Sequence, residues 1–528
     1  MIASRALTVL ACLLVVAALV VPDNLGLLTP AAFLRIPVEA LAGVALVLVL
    51  RGRARTIAAV AAGWLLGVLT LVKLVDMGFF AAFGRPFNLV FDWSFLGPAL
   101  SLVDGGVLAV IGVVLATLAL IAATTWAALR MTRLAAGHRS VAARVVAGLA
   151  VIWLGCAVFG AQFEDGAPVA SRTTAAVAYR DARQVSSDLR DKNAFAQAMS
   201  VDAFRDTPAD KLLTGLRGKN VVFTFVESYG RVAVQDSDIA ARIDGLLDAG
   251  TESLRAAGFE ARSAFLTSST TGGGSWLAHS TLESGLWVSN QQRYTALTRS
   301  DRLTLSSAFK RAGWRTVNDQ PANTGDWPEG RFYGHDQLYD FRNLGYRGPN
   351  FSYASVPDQF TMAAFQRAEL STPDHPPVMA QIDLVSSHWP WAPLPRMVDW
   401  YALGDGSVFD PMPAQGRQLT DVWSDPARVR AAYADSIDYS LTTLISWLRT
   451  YGDNDTVLIF LGDHQPNGSV TGSESAGNDV PITIVARDHA VLDRIAGWGW
   501  DPGLNPGPRA PVWPMDAFRD RFLAAFGQ

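Results

Sequence analysis

The sequence predicts an α-helical membrane region of about five transmembrane helices, followed by an α/β domain with a mostly parallel central sheet. Three observations carry this prediction. Hydrophobic residues make up 50% of the 528-residue chain, at a mean hydropathy of +0.20, and they gather in the first third. Beyond residue 218, short β-branched and aromatic runs alternate with stretches of helical periodicity. Three of those runs end in residues able to do chemistry: Glu227, His388, and Asp463 with His464.

The apolar runs come first. Ala6–Val21, Phe33–Leu50, Ile57–Val75, Val107–Ala128 and Val145–Phe163 each approach the ~20 residues that cross a bilayer. The first resembles a signal-peptide core, yet no small-residue cleavage site follows it, so it reads as a retained helix. Arg51, Arg53 and Arg55 fill the second connection, and Arg130, Arg133, Arg139 and Arg144 fill the fourth. Placing these loops in the cytoplasm sets the N-terminus inside and everything after Phe163 outside, with Glu164 and Asp165 in agreement. Lys73 and Asp76, near the end of the third run, read as side chains snorkelling to the interface. The domain assignment is a transmembrane region over 1–163, a helical linker over 164–217, and an extracytoplasmic catalytic domain over 218–528.

Composition removes several functions. A net charge of −4 gives no footprint for nucleic acid. The two cysteines, Cys12 and Cys156, both lie in apolar runs, which excludes a disulfide framework or a thiolate zinc site in the outer part.

In the outer part, strands are predicted at Val221–Val226, Trp314–Asn318, Val378–Val385, Thr456–Leu461 and Ile482–Ala486. Helices are predicted at Ile239–Ala257, Leu303–Ala312, Val429–Thr450 and Met515–Phe526. In a parallel sheet, ligands bind beyond the carboxyl ends of the strands. Glu227, His388, Asp463 and His464 would therefore share one sheet edge. Thr270–Ser280 adds a Gly-Gly-Gly-Ser turn running into a helical pattern from Ser275 to Trp287. Ser275 there is either a helix N-cap or a nucleophile perched where helix N–H groups favour an anion. Thr270, Thr271, Ser280 and Thr281 are alternative hydroxyls. His279 and His335 read as structural, and the Trp-rich segment Trp389–Trp423 as a lid, a lipid-facing surface or a packed loop.

Two carboxylates, an imidazole and a hydroxyl make a four-ligand set of mostly hard donors. The set suits Mn²⁺, Mg²⁺ or Zn²⁺, and such an ion would activate Ser275 at neutral pH. Val-Glu227-Ser-Tyr-Gly, Gly-Gly-Gly-Ser275-Trp, His388-Trp-Pro-Trp and Gly-Asp463-His464-Gln-Pro together resemble the alkaline phosphatase/sulfatase superfamily. With five preceding helices, the chain looks most like its lipoteichoic acid synthase branch, the membrane phosphoglycerol transferases. That resemblance implies one divalent cation, usually manganese, on Glu227, Ser275, Asp463 and His464, and a substrate-side role for His388. It also implies that Trp327 and Arg331, in Asp-Trp-Pro-Glu-Gly-Arg, hold the glycerol phosphate. The donor would be a phospholipid and the acceptor a polyol or glycan, at the outer face of the plasma membrane. A hydrolase sharing the same residues and a non-catalytic envelope sensor are the alternatives. Neither Pro nor Arg stands in register after Ser275, so sulfate-ester hydrolysis through formylglycine is not expected.

Overall fold

Helices form at each of the five apolar runs in the computed structural model, which describes residues 2–83, 85–90, 92–93, 106–164, 167–235, 237–351, 353–372, 374–472 and 477–528. They are α1 (Ile2–Val20), α2 (Val38–Val49), α3 (Gly52–Phe83), α4 (Gly106–Gly137) and α5 (Arg139–Phe159), followed by the long polar helix α6 (Thr173–Ser200). Among the described residues, Gly52–Phe80, Val110–Gly137 and Arg139–Phe159 are long and apolar enough to cross a membrane, while Arg5–Val20 and Val38–Val49 are shorter apolar helices. The chain is a membrane protein. The run expected at Phe33–Leu50 is cut short because Pro30–Leu34 forms a 3₁₀ turn and Pro37 stands immediately before α2. Twelve residues rise roughly 18 Å, less than the hydrocarbon thickness. Helices α3 and α4 approach closely at Gly63, where a Cβ would lie 2.5 Å from the Thr125 Cα.

Lys73 and Asp76 do not snorkel; both are fully buried. The Lys73 ammonium donates to the carbonyls of Ala18 and Leu19, each at 3.1 Å, and to Thr174 Oγ1 at 2.6 Å. Those carbonyls end α1 and have no partner within the helix, so an ammonium group satisfies them. Asp76 accepts from the Phe87 N–H and from Arg180. Asp165 lies outside the described residues.

The chain divides into two compact units, Met1–Asn193 and Ala194–Gln528. The second is built on a nine-stranded sheet. Its strands are β1 (Asn220–Val226), β2 (Glu260–Thr267), β3 (Arg315–Gln320), β4 (Gln337–Asp340), β5 (Val378–Leu384), β6 (Thr456–Gly462), β7 (Asp479–Ala486), β8 (Asp501–Pro502) and β9 (Val512–Pro514). Their order is β8-β2-β7-β6-β1-β5-β3-β4, with β9 paired to β2. The central run β6-β1-β5-β3-β4 is parallel, so the sheet is mostly parallel as the alternating pattern predicts. Strand β7 runs antiparallel to both β6 and β2. Strand β2 therefore points the same way as the central strands.

Both faces of the sheet are covered. Val222 and Val226 pack with Ile243 and Leu247 of α7 (Ala240–Ala256) and Tyr433 and Leu441 of α13 (Pro426–Tyr451). Val221, Phe223 and Phe225 pack on the other side with α8 (Ser275–Ser284), α10 (Leu305–Arg311) and α14 (Ala517–Phe526). Between them in the chain lie α9 (Gln291–Leu297), α11 (Gly330–Tyr333) and α12 (Asp358–Phe365). Burial on two faces explains why β1 and β6 read as continuous apolar runs. Strand β2 escaped the sequence reading because Glu260, Arg262 and Ser263 break its apolar run.

Candidate active site

Register brings the acidic residues together. Val226 pairs with Gly462, so the residues that follow, Glu227 and Asp463, leave the sheet side by side. Gly462 is required there, since a Cβ would meet the Tyr229 carbonyl oxygen at 1.9 Å. Val226 also pairs with Leu384, which directs Ser386, Ser387 and His388 to the same edge. The chain leaving β2 reaches that edge through Gly272, Gly273 and Gly274, whose φ values of 69°, 151° and 82° strongly favour glycine. Ser275 is then the first residue of α8, and the N-cap is Gly274. The capping role is thus taken by another residue, and the Ser275 hydroxyl faces the cluster.

Ser275 Oγ donates to Glu227 Oε2 at 3.0 Å and lies 3.4 Å from His464 Nε2. His464 Nε2 stands 3.3 Å from Glu227 Oε1 and 3.4 Å from Asp463 Oδ2. Glu227, Asp463 and His464 are the one group of three or more potential ligands found among the described residues, their donor atoms all within 4.8 Å of one another. Outer contacts orient them. The His464 Nδ1–H donates to the Gln465 carbonyl at 2.8 Å, which turns Nε2 toward the cluster. Asp463 Oδ1 accepts from the backbone N–H groups of Ser228 and His464, each at 2.7 Å. Asp463 Oδ2 is buried and accepts no hydrogen bond.

The electrostatics describe a site short of positive charge. Burial would raise the Glu227 carboxyl, but the neighbouring His464 overrides it and holds the group well below the usual carboxylate range. Burial and the Glu227 charge push Asp463 up to about 7. Burial opposes charge on His464, yet Asp463 and Glu227 raise it to about 9. An orphaned carboxylate oxygen and two carboxylates competing for one imidazole Nε2, a position a cation would take in place of its proton, fit a divalent cation. The hard donor set fits the same group.

The alternative hydroxyls are engaged elsewhere. Ser280 bonds to Trp276 and Tyr333, Thr281 to Ser269 and Leu277, and Thr270 to Gly273. Thr271 is exposed. A cavity of about 560 Å³ opens beside Ser275, with Glu227, Asp463, Trp327 and His388 on its wall. His388 donates from Nδ1 to the Trp389 carbonyl and stacks on Tyr353 with ring centroids 3.6 Å apart. Trp327 donates to the Tyr294 hydroxyl at 3.1 Å and stacks on Tyr333. Arg331 is exposed and does not line this cavity. Helix α11 turns Tyr333 inward, where it is buried, and leaves Arg331 outside. The Trp-rich segment is mixed: Trp391 is 2% exposed and stacks on Trp423, while Trp389 and Trp423 are 47% and 40% exposed.

Sequence reasoning missed Tyr353, which sits in an irregular loop with no periodic signal. It also set aside His279, which lines the cavity with Asp383, and burial lowers the His279 imidazole to about 3. His279 follows Ser275 by four residues, a helical spacing that places both on one face.

A parallel sheet with an acidic strand end, a Gly-rich perch for a hydroxyl and a late Asp-His pair makes up a sulfatase-like domain. The family model described as sulfatase matches residues 219–480, the segment that forms the sulfatase-like domain. No curated protein sequence matches the chain. Among solved structures, the chain is similar to the lipoteichoic acid synthase LtaP of Listeria monocytogenes at 14% identity and a TM-score of 0.40, covering 60% of this chain and 74% of that one. It is similar to the Streptococcus pyogenes phosphoglycerol transferase GacH, in complex with sn-glycerol-1-phosphate, at 12% identity and a TM-score of 0.36, covering 63% and 90%. It is also similar to the C-terminal periplasmic domain of EptC from Escherichia coli at 13% identity and a TM-score of 0.38, covering 58% and 82%.

Proposed function

We propose that the protein is a membrane-anchored phosphotransferase that moves a phosphoglycerol-type group from a phospholipid to a polyol or glycan through a covalent phospho-Ser275. The observation that carries this reading is the Ser275 hydroxyl, 3.0 Å from Glu227 and 3.4 Å from His464, on the wall of a cavity that also holds His388. Glu227, Ser275, Asp463 and His464 would hold one divalent cation, Mn²⁺ by the motif resemblance. When bound, it would supply the charge that stabilises phosphoryl oxygens and lowers the serine pKa.

The residues then act in order. Ser275 Oγ, aimed by the hydrogen bond it gives to Glu227 Oε2, attacks phosphorus and releases its proton to solvent. The P–O bond to diacylglycerol breaks as the Oγ–P bond forms. Protonated His388 gives its Nε2 proton to the departing oxygen, its Nδ1–H being held by the Trp389 carbonyl. An acceptor hydroxyl then attacks the phosphoryl group, its proton passes to His388, and Ser275 recovers a proton from solvent. In this reading residues 218–528 form the catalytic domain outside the plasma membrane, residues 164–217 connect it, and 1–163 anchor it with the N-terminus in the cytoplasm. Ser275→Ala should abolish transfer and weaken divalent-ion binding, while thermal stability persists. Undiminished transfer in that variant would overturn the assignment.

A further inference from the structure

A cavity of about 720 Å³ opens within the first unit, a size usual for a small-ligand site. It shares no lining residue with the cavity beside Ser275. Its wall is built where apolar helices end. Pro22 and Asp23 follow α1, Trp153, Cys156 and Gly160 belong to the last turns and cap of α5, and Arg172 and Thr173 open α6. Trp153 is fixed there by a hydrogen bond from its Nε1–H to the Ser171 carbonyl at 3.2 Å. Ends of apolar helices with a Trp among them mark the level where hydrocarbon gives way to lipid headgroups. Ile36–Pro37 pairs in parallel register with Ala170–Ser171, which brings Arg35 and Arg172 onto neighbouring stretches of chain.

Three guanidinium groups line this cavity, and they differ in what neutralises them. Arg180 donates to Asp23, Asp76 and Asp181, so its charge and that of Asp23 are already met. Arg35 is 8% exposed, and its Nε–H donates to the Ala32 carbonyl at 2.8 Å and one Nη to the Val20 carbonyl. No carboxylate among the described residues forms an ion pair with it. Arg172 is exposed and also has no carboxylate partner among the described residues. A nearly buried guanidinium held only by neutral carbonyls leaves its charge uncompensated, which is costly away from water. Thr173, the first residue of the 28-residue α6, lines the same cavity, and a helix N-terminus favours negative charge.

These features select the ligand. A cation would be repelled by Arg35 and Arg172, and a neutral chain would leave both without counter-charge. A free phosphate would supply the charge but leave the wall of Trp153, Cys156 and Ala157 uncovered. A phosphodiester carrying acyl chains answers both demands. Its oxygens accept from guanidinium forks, and its chains can lie along α5, where Ile152, Leu154, Val158 and Phe159 are exposed. We propose that this cavity holds the headgroup phosphate of a phospholipid on Arg35 and Arg172, as a resident lipid of the first unit separate from the one that reacts at Ser275.

Cys156, in the cavity wall, reports on occupancy. The full-length protein with Cys12→Ser is stripped of lipid by detergent exchange, and alkylation of Cys156 by N-ethylmaleimide is timed. Dioctanoyl phosphatidylglycerol should slow alkylation severalfold. Dioctanoylglycerol, which lacks the phosphate, and glycerol phosphate, which lacks the chains, should leave it unchanged. Arg172→Ala, at an exposed position, should raise the lipid concentration for half-protection roughly tenfold, the worth of a charged hydrogen bond. Arg35→Gln should do the same, with thermal melts verifying the fold. Protection should persist in Ser275→Ala, because the two cavities have no residue in common. No protection by the phospholipid, equal protection by dioctanoylglycerol, or an unaltered concentration in both arginine variants would overturn the phosphate site. Protection by glycerol phosphate would overturn the lipid assignment, and its loss in Ser275→Ala would overturn the separation from the transfer site.

Discussion

Tyr353 and His388 show how little of a site depends on the reacting atoms alone. His388 has one ring nitrogen tied to the Trp389 carbonyl, and Tyr353 fixes the plane of the ring by stacking at 14°. Replacing His388 by Ala should cost about 10²–10⁴-fold in turnover, the usual worth of a positioned proton donor. Tyr353→Ala should cost roughly tenfold in kcat, and Tyr353→Phe should restore it, because the ring and not the hydroxyl does the positioning. A steady-state comparison of the three variants checks this, and equal loss in the Phe and Ala variants would contradict it. Glu227, Asp463 and His464 were legible in the sequence because each follows a strongly apolar strand, so chain direction alone sets the edge on which they emerge. Arg331 was not so placed: its side chain is outside the cavity, and nothing in Asp-Trp-Pro-Glu-Gly-Arg reveals that its last two residues, with Phe332 and Tyr333, coil into a short helix turning Tyr333 inward.

At the scale of elements, helix α8 does two jobs. Its first residue presents the hydroxyl, and near its end Glu283 accepts from the Ser306 N–H at 2.9 Å and the Ser306 hydroxyl at 2.8 Å, joining α8 to α10. Burial raises the Glu283 carboxyl from 4.5 to about 7. A group whose folded pKa is raised contributes stability below its unfolded pKa and loses it as pH climbs through the folded value. The stabilising effect of protonated Glu283 should therefore be full near pH 4.5 and lost by about pH 7–8. Glu283→Gln should gain on the wild type over that range, by on the order of 1–3 kcal/mol, in thermal melts at pH 5 and pH 8. A gain that is independent of pH would contradict the assignment. Gly462→Ala should remove divalent-ion binding, because the 1.9 Å approach of a Cβ to the Tyr229 carbonyl displaces the start of Asp463; unchanged binding by calorimetry would contradict this. The central strands were readable as unbroken apolar runs buried on two faces. Strand β2 was not, since its partners β7 and β8 tolerate Glu260, Arg262 and Ser263 near the sheet margin.

For the whole molecule, five apolar helices and an α/β domain with a mostly parallel sheet follow from the distribution of apolar residues along the chain. Span lengths follow less well, because Pro37 starts α2 late and hydropathy alone does not register a missing N–H. Placing the Arg-rich connections inside predicts that a reporter fused after Gln528 is active outside the cell and inactive as a cytoplasmic fusion. The reverse pattern would invert the topology. The central claim is that Ser275 carries the phosphoryl group between donor and acceptor. Intact-mass and peptide mass spectrometry of the full-length protein, after incubation with phosphatidylglycerol and Mn²⁺, tests it most directly. A glycerophosphoryl adduct on the peptide containing Ser275, absent from Ser275→Ala and discharged on adding acceptor, is the predicted result. An adduct on Thr270 or another neighbouring hydroxyl, or transfer persisting in the Ala variant, would contradict it.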